Sequence, residues 1–258
     1  IAVSLLEGDS SDIWIVDAVR GTQTRLTFDP EPEIAPSWSP SGEQLIFTRG
    51  SGPSDFKLVE QPADGSAAGE VVGKGAGAGF VPDGKSIAFA RYDEKTWMDI
   101  YVMPLTGERT PAPLVRMKGM EVGPQVSPDG SLIAYQSNES EHEEVYLKKF
   151  PSGEGKWQVS VNGGYWPRWN GRGDRLYYLE RDTIMEVTVS THPGMTLGSP
   201  VRLFTREPAG IYVPFGWPET FDVTPDGQRF LLLKKVPQQG GSGIAVVENW
   251  YAEFLRKK

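Results

Sequence analysis

The stretch Val126-Ser127-Pro128-Asp129-Gly130, followed at once by Leu132-Ile133-Ala134-Tyr135, recurs along the chain. Trp38-Ser39-Pro40-Ser41-Gly42 leads into Gln44-Leu45-Ile46-Phe47, and Phe80-Val81-Pro82-Asp83-Gly84 into Ser86-Ile87-Ala88-Phe89. Trp169-Asn170-Gly171-Arg172-Gly173 leads into Arg175-Leu176-Tyr177-Tyr178, and Val223-Thr224-Pro225-Asp226-Gly227 into Arg229-Phe230-Leu231-Leu232. In such a unit proline presets the turn dihedral, aspartate hydrogen-bonds its own backbone and glycine takes positive φ. Apolar β-formers on both sides make the flanks strands. The turn glycines stand at 42, 84, 130, 173 and 227, so the repeat length is in the forties with one longer step. Four short strands per repeat at that period predict an all-β, β-propeller architecture.

The 258 residues divide into six repeats of 43, which predicts a single six-bladed domain of four-stranded antiparallel blades. The blades are expected near 1–28, 29–73, 74–117, 118–161, 162–206 and 207–258. Lys plus Arg number 26 against 34 Asp plus Glu, a net charge of -8, which disfavours nonspecific nucleic acid or anionic membrane as partners. No 18-residue apolar run exists that would insert this chain in a bilayer. The first residue is Ile1, as in a piece of a longer protein. Cysteine is absent, which excludes disulfides and thiolate chemistry, and with only His142 and His192 a three-histidine zinc site is excluded by count.

Each repeat reads as strands A to D. Strand A ends in the turn and B follows it. Strand C alternates, as in Asp12-Ile13-Trp14-Ile15-Val16, Asp99-Ile100-Tyr101-Val102 and Glu144-Val145-Tyr146-Leu147. Strand D is brief, as in Trp157-Gln158-Val159-Ser160. The first repeat lacks a strand A, so its blade is either incomplete or closed by the tail Asn249-Trp250-Tyr251-Ala252-Glu253-Phe254-Leu255. Closure by the tail is the expectation, with a short tail helix as the alternative. The segment from Thr205 to Pro218 is a long connection rich in aromatic residues, of the kind that carries function or plugs a hole.

Asp12-Ile13-Trp14, Thr27-Phe28-Asp29-Pro30, Trp38-Ser39-Pro40, Glu144-Val145-Tyr146, Gly155-Lys156-Trp157-Gln158-Val159-Ser160, Pro167-Arg168-Trp169, Asp226-Gly227-Gln228-Arg229-Phe230 and Asn249-Trp250 together touch nearly every repeat. In them the chain resembles the TolB-like, WD-like propeller repeats of bacterial extracytoplasmic proteins. It is most similar to the C-terminal half of the propeller appended to some bacterial transmembrane serine/threonine protein kinases. The resemblance implies a sensory or scaffolding module outside the cytoplasm, periplasmic or at the cell surface, and a membrane kinase as parent. No kinase motif lies in these residues, and Asn170-Gly171-Arg172-Gly173 departs from the repeat.

Strict alternation along strand A predicts which side chains line the central tunnel. Aligned on the turn glycines, Trp38, Phe80, Val126, Trp169 and Val223 share an apolar face between blades. The opposite face carries Ser37, Gly79, Gln125, Arg168 and Asp222, and further up Glu33 and Glu121 near the entrance. Three readings compete. The bland one is a tunnel ion pair of Arg168 with Asp222 amid solvated groups. The second is a site for a peptide, glycan, small ligand or protein partner, formed by Trp97, Gln125, Tyr165, Trp166, Arg168, Tyr212, Phe215 and Trp217. The third is a Ca²⁺ ion on Glu33, Glu121 and Asp222, with Arg168 arguing against it. The function expected is a noncatalytic binding module. The alternative is a Ca²⁺-dependent hydrolase of lactonase or phosphotriesterase type. His142 and His192 read as loop residues, the serines lack a Gly-x-Ser-x-Gly elbow, and Gly240-Gly241-Ser242-Gly243 is followed by no helix N-terminus.

Overall fold

The repeated turn does the same work in four of its five copies, the copy with Val81 having no side-chain acceptor at that position. In a computed structural model that describes residues 1–7, 10–205, 221–233 and 244–247, Asp129 Oδ1 accepts hydrogen bonds from Ser127 Oγ at 2.6 Å and Ser131 N–H at 3.0 Å. Ser127 Oγ in turn accepts Leu132 N–H at 2.9 Å, stapling the start of strand B. Ser39 does this for Gln44 at 3.0 Å and Thr224 for Arg229 at 3.1 Å. The departure at Asn170 is explained by the same bond, because its Oδ1 accepts Arg175 N–H at 3.1 Å. The turn glycines sit at positive φ, from 67° at Gly84 to 74° at Gly42.

The chain folds as an all-β propeller of antiparallel blades, with no helix among the described residues. Four blades are complete, ordered from the axis outwards. The first of these is Glu33–Trp38, Gln44–Arg49, Lys57–Pro62 and Glu70–Lys74. The next is Ala76–Phe80, Ser86–Asp93, Trp97–Pro104 and Ala112–Val115, followed by Glu121–Val126, Leu132–Ser137, Glu144–Lys149 and Trp157–Gln158. The last complete blade is Tyr165–Trp169, Arg175–Glu180, Thr183–Ser190 and Val201–Thr205, with Thr196–Leu197 on the far end of its third strand. Two three-stranded sheets flank them: Ala2–Glu7, Ser10–Val16, Gln23–Arg25 at the start, and Phe221–Val223, Phe230–Leu233, Ile244–Val247 at the end. Six four-stranded blades are therefore not what the described residues form. Among the described residues the first sheet has no inner strand and the last no outer one. The tail, with its expected role in closure, lies outside the described residues.

The core lies between neighbouring sheets. One aromatic at the same place in strand B of each complete blade, Phe47, Phe89, Tyr135 and Tyr178, is fully buried. Each such burial contributes about 2 kcal/mol relative to exposure. Strands C and D are clasped by a second recurring device. Thr27 Oγ1 accepts Ile13 N–H at 2.9 Å, and Ser160 Oγ accepts Val145 N–H at 2.8 Å. The residue just before that amide is a buried acid tied to strand D or the loop after it: Asp12 to Arg25 at 2.7 Å, and Glu144 to the Ser160 hydroxyl and to Gly163 N–H at 3.0 Å. Asp99 holds the matching position and pairs with Arg116 at 3.1 Å. Among the described residues no helix is long and apolar enough to cross a membrane.

Candidate functional site

The tunnel side chains are set by a feature that alternation does not contain. Every inner strand of a complete blade carries a bulge, with the register slipping between Ile34 and Ser37, Ala76 and Gly79, Val122 and Gln125, and Tyr165 and Arg168. The first bulged residue is in the left-handed region: Ala35 at 54°, Gly77 at 58°, Gly123 at 61° and Trp166 at 50°. This is a glycine-type bulge, one extra residue on the inner strand. It reverses the facing of everything before it.

Glu33 and Glu121 are consequently enclosed by protein, each 0% exposed. Glu33 Oε1 takes Arg49 Nη2 at 2.8 Å and Nε at 2.9 Å, and Arg49 Nη1 reaches Asp29 at 3.0 Å. Burial raises the Glu33 pKa, offset by hydrogen bonds from Thr27 and Arg49. Glu121 makes no ion pair among the described residues. Its Oε2 accepts Met117 N–H at 3.2 Å and its Oε1 accepts the Ser137 hydroxyl at 3.2 Å. Burial pushes its pKa up to about 7, against the pull of those bonds and with help from Asp99 and Glu139. Asp222 lies apart, its side chain 67% exposed. Among the described residues no three His, Asp or Glu side chains converge as a cation needs. Among the described residues Glu33, Glu121 and Asp222 are not brought together: Arg49 occupies Glu33, Glu121 is enclosed by protein, and Asp222 is exposed.

Beyond the bulge the alternation holds its phase. Arg168 is buried, donates Nη1–H to Pro167 O at 2.9 Å and places Nε 3.7 Å from Asp222 Oδ1. A Cβ on Gly79 would lie 3.7 Å from Gln125 Nε2, and the Gln125 carbonyl accepts Trp169 Nε1–H at 3.0 Å. Gln125 and Arg168 thus sit on adjacent inner strands.

The aromatic candidates gather at one end of the ring. Strands alternate in direction, so the B-to-C hairpins and the connections into strand A share that end. Trp97 starts its strand after the hairpin 94–96, at φ 76°, 53% exposed and edge-on to Tyr92 with ring centroids 5.9 Å apart. Tyr165 and Trp166 open their inner strand with centroids 5.8 Å apart, and the Tyr165 hydroxyl is 3.5 Å from Glu143 Oε2. The two ends of this arc are linked through Met98 bridging Met120, and Met120 N–H bonding Asn138 at 2.8 Å, at the start of the hairpin that carries Glu143. Tyr212, Phe215 and Trp217 lie outside the described residues. His142 is exposed, and His192 Nδ1 lies 3.1 Å from the hydroxyl of its neighbour Thr191. Sequence reasoning missed Glu143 as a partner of Tyr165, and it missed the Asp93–Arg116–Asp99 network under Trp97. Recurrence of an acid at Asp12, Asp99 and Glu144 was the available signal for the latter.

No protein-family model matches the chain, and no curated protein matches it by sequence. Solved structures do match. TolB from Acinetobacter baumannii superimposes with a TM-score of 0.73 at 16% identity, over 96% of this chain and 60% of that one. The shared feature is the propeller. The chain spans about 60% of the length of that TolB chain. An oligogalacturonate lyase in complex with manganese matches at TM-score 0.63 and 11% identity, over 98% of this chain and 71% of the lyase. The Swd1 β-propeller domain of Myceliophteria thermophila matches at 0.62 and 12%, over 96% and 89%. At these identities the likeness concerns the fold, which serves an enzyme in one case and not in the others' names.

Proposed function

We propose that the chain is a noncatalytic propeller that binds a protein partner or an extended peptide outside the cytoplasm, at the end of the ring where Trp97, Tyr165 and Trp166 stand. The observation that carries this reading is the backbone of the two tryptophans. A bulky residue in the left-handed region is strained by about 1–2 kcal/mol relative to glycine. Two other blades use glycine at the Trp166 position. Two large aromatics held in such conformations at one end of the molecule are what a recognition surface requires and what stability alone disfavours. The TolB-like fold supports the extracytoplasmic setting, and the resemblance to kinase-borne propellers supports a sensory or scaffolding task. The count of six blades belongs to the same proposal: both end sheets keep the strand order of the complete ones, with one position each left to be filled. The hydrolase alternative gains no support from the carboxylates, given where the bulge puts Glu33 and Glu121.

Trp97→Gly separates function from folding. Relief of left-handed strain, about 1–2 kcal/mol, offsets loss of the Tyr92 contact, about 1 kcal/mol. Stability in urea is therefore expected to stay within about 1 kcal/mol of the parent. Peptides selected by display on the parent protein are expected to lose at least about tenfold in affinity for the variant, about 1.4 kcal/mol. Selection that enriches no peptide, or peptides that bind parent and variant alike, would remove this end of the ring as the binding surface.

A further inference from the structure

We propose that Glu121 is a proton-controlled latch at the rim of the ring, holding the connection 116–120 against the hairpin 138–143 when protonated and releasing it as the pH rises. The latch sits at the end of the ring where Trp97 and Tyr165 stand. It goes beyond the binding reading and does not depend on it.

Glu121 opens its inner strand and reaches both segments. Its Oε2 accepts Met117 N–H at 3.2 Å, which ties the connection, and its Oε1 meets the Ser137 hydroxyl at 3.2 Å. Ser137 Oγ accepts Glu139 N–H at 3.2 Å, which sets the start of the hairpin. One further bond joins the two segments directly, from Met120 N–H to Asn138 Oδ1 at 2.8 Å. Gly119 lies so close that a Cβ there would fall 2.6 Å from the same oxygen. Met120 also bridges Met98, the neighbour of Trp97, and the hairpin carries Glu143 to Tyr165. Release of the connection therefore bears on both ends of the aromatic arc.

The surroundings favour the neutral acid. From the preceding blade come Asp99 and Arg116, but Arg116 is spent on Asp99 Oδ2 and on Asp93, both at 3.1 Å. Tyr92 packs with Met98, Met120 and Val122. From its own blade come Tyr135 and Glu139, and Lys156 is paired with Glu139 and stands over the Tyr146 ring. Lys118, Glu141 and His142 are exposed. Asp99 and Tyr135 are fully buried and act electrostatically on Glu121 or feel its charge, and Asp99 Oδ1 and the Tyr135 hydroxyl have no hydrogen-bond partner. A neutral carboxyl suits this enclosure, one oxygen accepting Met117 N–H and the other donating its proton to Ser137 Oγ. A carboxylate bears an uncompensated charge among acids until water reaches it. The weakest wall is the connection, since residues 116–119 lie outside any strand and expose Arg116 and Lys118.

Amide hydrogen exchange of the whole chain tests the latch, with parent and Glu121→Gln compared at equal pH so that the intrinsic pH dependence of exchange cancels. The enclosed carboxyl has a pKa of about 7 and a solvated one the ordinary 4.5, so opening releases a proton between these values. The ratio of parent to variant exchange at Met117, Met120 and Glu139 is therefore expected to rise about tenfold per pH unit from about pH 5 to about 7 and to level off above. Low urea separates this opening from global unfolding. Exchange at the three amides is expected to be insensitive to it, because a local opening exposes little surface, while Leu132–Ser137 responds. A synthetic peptide of residues 114–122 supplies the intrinsic rates for the connection should the variant fold poorly. Parent and variant exchanging alike at every pH, or the three amides following urea in step with Leu132–Ser137, would each overturn the latch. Either failure leaves the binding reading standing, since no ligand takes part.

Discussion

Replacing Glu121 with glutamine is expected to make the protein more stable at neutral and alkaline pH and to flatten its stability between about pH 4.5 and 7. The carboxyl has an ordinary pKa near 4.5 in the unfolded chain and about 7 in the fold. Below the lower value it is protonated in both states and costs nothing. Between the two, the folded protein keeps a proton that the unfolded chain gives up, so stability falls as pH rises. Above about 7 both states are ionised and the fold bears the whole cost of a buried charge without a counter-ion, on the order of 3 kcal/mol for such a shift. Glutamine reproduces the neutral acid, since its carbonyl oxygen accepts Met117 N–H and its amide donates to Ser137 Oγ. Urea unfolding of both proteins across this range measures the difference directly, cancelling the contributions of Glu33 and Glu60, whose pKa values burial also raises. Two parallel curves would mean that Glu121 is solvated in the folded state.

The second large effect concerns two glycines, one just before an inner strand and one within it. Gly75→Ala is expected to cost about 3 kcal/mol or more, and Gly77→Ala only about 1. Gly75 has φ 148°, and a Cβ there would fall 2.5 Å from Phe89 Cδ2 and 2.6 Å from the Ala90 carbonyl oxygen. The ring is locked in the core and the carbonyl is backbone, so neither yields cheaply. Gly77, at φ 58°, has open space around it, and the equivalent bulge position already holds Ala35 and Trp166. Denaturant midpoints of the two variants, compared at equal slope, test the bulge as a shared design of the inner strands. Equal losses would contradict it.

How much of this was legible differs from residue to residue. The turn at Ser127-Pro128-Asp129-Gly130 could be read because its bonds are local: donor and acceptor lie within five residues, and every repeat spells them again. Even Asn170 yields to that logic, since an amide oxygen replaces a hydroxyl. Placing Trp97, Tyr165 and Trp166 at one end required only strand order. The fates of Glu33 and Glu121 were not readable. One extra residue at Ala35 or Gly123 inverts the parity on which facing depends, and neither alanine nor proline after it marks a bulge unambiguously.

By itself, then, the sequence determined the repeat, the turns and the strand content, because each is written in local chemistry at a fixed period, whereas the fully buried aromatics sit on strand B and not on the Trp38 face. The tertiary structure decided which way the inner carboxylates face, that Arg49 claims Glu33 while Glu121 stays alone, and that Glu143 meets Tyr165 across two blades. Those outcomes depend on contacts between residues many positions apart, and on a backbone irregularity whose cost only the packed ring repays.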